Sequence, residues 1–121
     1  MNFAEEKPIY LQIAEKIEDA ILSGAFEEDS NIPSTTELSV SYKINPATAL
    51  KGVNLLADEG IVYKRRGLGM FVSPGAKNLI LNKRKNSFYE TYVQTLLSEA
   101  KKLNLTKAEI IQMIERSSCN E

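Results

Sequence analysis

With 121 residues, 43% of them apolar, the chain can enclose one modest core but no second full domain. It has no run of about 18 apolar residues, and its acidic opening, MNFAEEKP, stands where a secretory signal is basic, so a cytoplasmic protein is expected. It has no histidine and a single cysteine, Cys119, which argues against a disulfide framework and against a zinc or other metal site; with no nucleophile–base pair, Walker loop or GxGxxG, neither an enzyme nor a cofactor is expected. The formal charge of −1 hides a division, because residues 1–33 hold two bases and eight acids, residues 34–85 nine bases and three acids, and residues 86–121 four bases and five acids, so the middle block offers an anion one place to bind.

Pro8 followed by IYLQIAEKIEDAILSG predicts a first helix that begins on a proline and stops at Gly24. Ile9, Ile13, Ile17 and Ile21 recur every four residues as a buried stripe, with Glu15, Glu18 and Asp19 expected in water on the opposite face. The stretch AFEEDSNI reads as a turn. In PSTTELSVSYK, Ser34 and Glu37 have capping-box spacing, which predicts a short helix with its positive dipole end at Ser34, Thr35 and Thr36 and with Leu38 and Val40 or Tyr42 to bury.

A turn through Lys43 and Ile44 leads to NPATALKGVNLLADEG, with Asn45 as N-cap, Pro46 in the first position, Gly60 as stop, and Ala49, Gly52, Val53 and Leu56 on one inward face. Two helices joined by so short a turn form a helix-turn-helix pattern. Residues 61–64 and 70–73 are β-prone runs, and Lys64, Arg65 and Arg66 with Gly67, Leu68 and Gly69 are expected at the loop of a hairpin between them. Three like charges side by side repel unless an anion meets them.

Beyond Pro74 and Gly75, residues 76–103 suit one long helix with a wide apolar stripe through Phe88, Tyr89, Tyr92, Val93, Leu96, Leu97, Ala100 and Leu103. Thr106 and Glu109 repeat the capping-box spacing, and Ile110, Ile111 and Ile114 give a last short helix an apolar face. The expected fold is mainly α with a small β-hairpin: a winged helix-turn-helix over residues 1–75, then a helical dimerisation tail over residues 76–121.

Duplex DNA is a polyanion whose major groove admits a helix, so a reader of sequence needs a helix with small polar residues at its start and cations placed for phosphates. Asn45, Ala47, Thr48 and Lys51 supply the first, and Lys64, Arg65 and Arg66 supply the second along the backbone or in the minor groove. Ser34, Thr35 and Thr36 add hydroxyls and backbone N–H groups for a phosphate. Ser34 and Asn45 also cap their helices whatever else they do, and Gly67 and Gly69 also meet the hairpin's need for positive φ. The partner expected is double-stranded DNA carrying a palindromic operator, read by a homodimer whose seam is the stripe from Phe88 to Leu103. Phe88, Tyr89 and Tyr92 could also line a pocket for a small apolar effector, although plain core is the commoner use of such a stripe. The alternative is a winged helix that binds protein and lacks specific DNA binding.

The stretches PIYLQIAEKIEDAILSG, IPSTTELS, NPATALKGVNLLADEGI and RRGLGMFV resemble the N-terminal winged helix of the GntR family of bacterial transcription regulators, and the short helical tail resembles its YtrA-type subfamily. The resemblance implies a homodimeric repressor of a transporter-type operon, often its own, whose C-terminal helices pair. Four positions depart from the family's pattern. Thr36 stands where an arginine that meets DNA is usual, Leu50 where a small or basic residue is usual, Lys51 for an arginine, and Leu68 at a commonly polar place between the glycines. Thr36 and Lys51 each forgo a bidentate fork, which implies retained geometry on a shifted operator. Leu50 packs on a thymine methyl if it faces outward and is core if it turns inward.

Overall fold

A computed structural model describes residues 7–117; Cys119 and the opening through Glu6 lie outside the described residues. The chain divides into two compact units, residues 1–82 and 83–121.

In the first unit, helix α1 spans Ile9–Ser23, with Pro8 at its N-cap and Gly24 ending it in the left-handed region at φ 90°. The four-residue period places Ile13, Ile17 and Ile21 inside, but Ile9 is exposed and Ala14 takes its share of the stripe. Glu18 does not face water as expected: it is 1% exposed. Position 18 is four residues from Ala14 and three from Ile21, so helical geometry puts it on the inner stripe despite its charge.

Helix α2 spans Thr35–Tyr42 and helix α3 spans Pro46–Asp58. Leu38 alone anchors α2 in the core, whereas Val40 is 72% exposed and Tyr42 is also exposed. The turn passes through Lys43, held left-handed at φ 56°. Ala49, Gly52, Val53 and Leu56 line the inner face of α3 as their spacing predicts. At Gly52 the helices meet so closely that a Cβ would lie 2.8 Å from the Tyr10 carbonyl oxygen, so only glycine fits this crossing undisturbed.

Strands β1 (Val62–Arg65) and β2 (Gly69–Val72) pair antiparallel in the register Val62↔Val72, Tyr63↔Phe71, Lys64↔Met70 and Arg65↔Gly69. The strand therefore claims Lys64 and Arg65, which were expected in the loop, and the turn holds Arg66, Gly67 and Leu68, closed by the Leu68 N–H on the Arg65 carbonyl at 2.9 Å. The segment read as a turn before α2 is in part a third edge. Asn31 bridges Phe71, the Asp29 and Ile32 N–H groups donate to the Val72 and Met70 carbonyls at 2.7 and 3.0 Å, and the Val72 N–H donates to Ser30 O at 2.9 Å. Ile13, Ile17, Ile21, Leu38, Val53, Leu56, Ile61, Val62 and Val72 close one core, joined by Ala76 and Ile80 from the start of helix α4, Ala76–Phe88.

Residues 76–102 are helical but not uniform, because a π-helical turn at Tyr89–Val93 separates α4 from helix α5, Gln94–Lys102. A π turn takes in an extra residue and so rotates the side chains beyond it relative to those before. Helix α6, Lys107–Arg116, opens with the expected capping box, the Glu109 N–H donating to Thr106 Oγ1 at 3.1 Å and the Thr106 N–H to Glu109 Oε1 at 2.8 Å. Within the second unit, Ala100 and Ile110 are buried.

Candidate nucleic-acid interface

The N-terminus of α2 is set by its capping box: the Glu37 N–H donates to Ser34 Oγ at 3.0 Å, and the Ser34 N–H donates to Glu37 Oε1 at 2.8 Å. The Ser34 hydroxyl keeps its own proton, and Thr35 and Thr36 in the first turn lack intrahelical acceptors for their N–H groups, so this end can donate to a phosphate. The Glu37 carboxylate at the same end works against an anion.

Helix α3 begins with Asn45 Oδ1 accepting from the Ala47 N–H at 2.7 Å, which leaves the Asn45 amide N–H₂ free in chemistry to donate. Ala47, Leu50, Lys51 and Asn54 form its exposed face, Thr48 is half-buried beside it, and Leu50 is 47% exposed, which settles the choice between outward and inward for that side chain. Lys51 does not project freely: its Nζ lies 4.2 Å from the centre of the Tyr10 ring on α1, a cation–π contact that aims the lysine along the α1 side of the helix. Asn54 went unnoticed in the sequence although its spacing from Lys51 and Leu50 places it on the same face; Tyr10, 41 positions before Lys51, left no local signal.

On the wing the three cations part company. Lys64 and Arg66 are exposed and, among the described residues, have no acidic partner. Arg65 lies over the Phe71 ring at 4.3 Å and donates through Nη2 to the Tyr63 hydroxyl oxygen at 2.8 Å. That hydroxyl donates in turn to Asp29 Oδ1 at 2.7 Å, which is itself 4.0 Å from Arg65. Gly67 and Gly69 take φ of 79° and 103°, and Leu68 between them is 65% exposed at the tip.

In the tail, Phe88, Tyr89, Tyr92, Leu96, Leu97 and Leu103 are exposed, Val93 is half-buried and Ala100 is buried. The Phe88 and Tyr92 rings pack with centroids 5.4 Å apart. Leu96, Ala100 and Leu103 face Leu105, Ile110, Met113 and Ile114 across an apolar groove of about 430 Å³ between α5 and α6. Met113 extends the apolar face beyond the isoleucines that the sequence singled out.

A short capped helix, a tight turn, a second helix with small polar residues at its start and a basic hairpin together make a winged helix-turn-helix, a DNA-binding class. The family model of bacterial regulatory proteins, gntR family, matches residues 9–72, from the first residue of α1 to the last of β2. The chain belongs to the GntR family and is a DNA-binding transcriptional regulator, not an enzyme. It is 30% identical over 90 residues to the HTH-type transcriptional repressor YtrA of Bacillus subtilis, covering 74% of this chain and 69% of the relative. The crystal structure of a GntR-family protein from Bacteroides thetaiotaomicron superposes with a TM-score of 0.77 at 37% identity, over 90% of this chain and 95% of that one. The DNA-binding domain of AraR in complex with operator ORX1 superposes with a TM-score of 0.54 at 31% identity, over 55% of this chain and 81% of that one. Among the described residues no helix is long and apolar enough to cross a membrane.

Proposed function

We propose that the protein is a homodimeric repressor that reads a palindromic operator, controls a transporter-type operon and is released by a small effector. The observation that carries the DNA contact is the pair of cations on the wing, Lys64 and Arg66, which have no acidic partner among the described residues, together with the exposed polar start of α3. Backbone phosphates satisfy the wing and the α2 end, while Asn45, Thr48, Lys51 and Asn54 meet base edges in the major groove and Leu50 meets a thymine methyl. AraR, whose DNA-binding domain has the same fold, is seen on an operator, and YtrA is named a repressor; both support this reading.

The homodimer is supported by the tail. A lone chain leaves Leu96, Leu103 and Ile114 in water around the groove between α5 and α6, and a second copy covers them by the same apolar burial that closes a core. The exposed aromatic cluster of Phe88, Tyr89 and Tyr92 supports the effector, and the likeness of the short tail to the YtrA-type subfamily supports the transporter-type operon. Leu50 and Leu68, apolar and exposed on the same unit, are what favours the rival, a winged helix that binds protein.

The deciding experiment is selection of the purified protein against a random duplex pool at near-physiological salt. An enriched inverted repeat with half-site centres about 10 base pairs apart, or a multiple of that, is expected of a two-fold dimer. An unenriched pool, with binding lost at moderate salt, would leave the protein-binding reading in possession.

A further inference from the structure

The wing is tied to the segment that leads into α2, and Arg65 is the knot. Its guanidinium stacks on Phe71, hydrogen-bonds the Tyr63 hydroxyl and, through that hydroxyl, reaches Asp29 in the segment that leads into α2. Tyr63 and Phe71 are cross-strand partners with ring centroids 6.0 Å apart, so one side chain spans both strands and the third edge. One step nearer the tip, Asn31 Nδ2 donates to the Leu68 and Met70 carbonyls at 3.1 and 3.3 Å. A Cβ on Gly69 would stand 3.2 Å from that nitrogen and press on the tie, at a position whose φ of 103° already favours glycine. The residues that hold the wing, Asp29 and Asn31, lie three to five positions before the α2 cap Ser34, so the pose of the wing and the start of the helix-turn-helix share one short stretch of chain.

We infer that Arg65 is a positioning residue that sets the angle of the wing on DNA and makes no phosphate contact of its own, which leaves Lys64 and Arg66 as the wing's anion ligands. The inference rests on the DNA-binding geometry proposed above. Strand alternation puts Lys64 on the opposite face from Tyr63 and Arg65, and Arg66 lies in the turn, so neither is drawn into the knot. To reach a phosphate, Arg65 would give up the ring stack and the tyrosine hydrogen bond together, and the phosphate would have to approach the Asp29 carboxylate as well. The 4.0 Å separation from Asp29, between groups about half exposed, contributes little by itself. The stack and the hydrogen bond carry the arrangement.

The test is affinity for one duplex across a salt series, because each phosphate contact contributes about 0.9 to the slope of log affinity against log salt, whereas a loosened wing that must be ordered before Lys64 and Arg66 make their contacts costs affinity at every salt alike. Arg66→Ala is expected to lower that slope by about 0.9. Arg65→Ala and Tyr63→Phe are expected to leave the slope at the parent value while weakening binding by about three- to tenfold throughout, the scale of a lost ring stack or hydrogen bond. Tyr63→Phe removes one oxygen from a half-buried ring and keeps its packing, so its result stands even if Arg65→Ala melts early. A slope lowered by about 0.9 in Arg65→Ala would overturn the inference, because the arginine would then be a phosphate ligand. Unchanged affinity in Tyr63→Phe would overturn it too. If the parent protein and Arg66→Ala show no salt-dependent binding, the DNA-contact geometry itself falls and takes the inference with it, an outcome distinct from the other two.

Discussion

Lys51 shows what a single side chain gains from its neighbours. Four helical positions on the outer face of α3 were within reach of sequence periodicity, yet the ring of Tyr10 that fixes the lysine's direction belongs to another helix. Held this way, Lys51 has less freedom to lose in the proposed base contact than a freely swinging ammonium. Lys51→Ala is expected to relax preference at one or two operator positions by about 1–3 kcal/mol, read from affinities for single-base variants of the selected site. A loss equal across all sequences would assign it to the backbone instead. Two other residues mark the limits of reading outward from a sequence: Glu18, expected in water, is buried, and Leu50, left open between an outward and an inward place, is exposed. For Glu18 the side chain's charge suggested one side and its position on the helix decided the other.

Among the elements, the caps were legible because they are local. Ser34 with Glu37, Thr106 with Glu109, and Asn45 before Pro46 each close hydrogen bonds across two or three residues, and all three form as their spacing predicts. The crossing of α1 and α3 is not local. Gly52 sits in the helical pattern as an ordinary weak helix former, and only the packed pair reveals that its missing side chain makes room for the Tyr10 carbonyl. Gly52→Ala raises intrinsic helix propensity by about 1 kcal/mol, yet it forces a 2.8 Å contact with backbone that has no rotamer to yield. The expected outcome is a net destabilisation of about 1–3 kcal/mol, measured by urea unfolding; a more stable protein would mean that the helices part at no cost. The wing falls between these cases: the two β-prone runs announce the hairpin, while its third edge, Asp29 to Ile32, carries no alternation that would mark it as extended.

For the whole molecule, the tail is where stability and operator reading meet. The apolar faces of α5 and α6 line a groove that one copy leaves open, so the dimer proposed here is also what removes that surface from water. Leu103→Asp combined with Ile114→Asp is expected to give a monomer by sedimentation equilibrium. Its affinity for the full palindrome should fall close to that of the parent for a single half-site. Both residues are exposed, so the winged helix should keep its fold and its helical circular dichroism. A double variant that stays dimeric would move the seam elsewhere, toward Phe88 and Tyr92.

The first three helices, the caps, the turn of the helix-turn-helix, the basic hairpin and the family itself were determined by the sequence alone, because each depends on residues within a few positions of one another or on motifs that survive as short strings; the π turn that breaks the expected long helix over residues 76–103 was not. The partition of the wing cations, the close crossing at Gly52 and the aim of Lys51 were decided only by tertiary structure. The physical reason is common to all three. Each depends on which surfaces the core brings together across roughly forty residues of chain, and packing at that range follows from filling space, for which no local pattern stands as a sign.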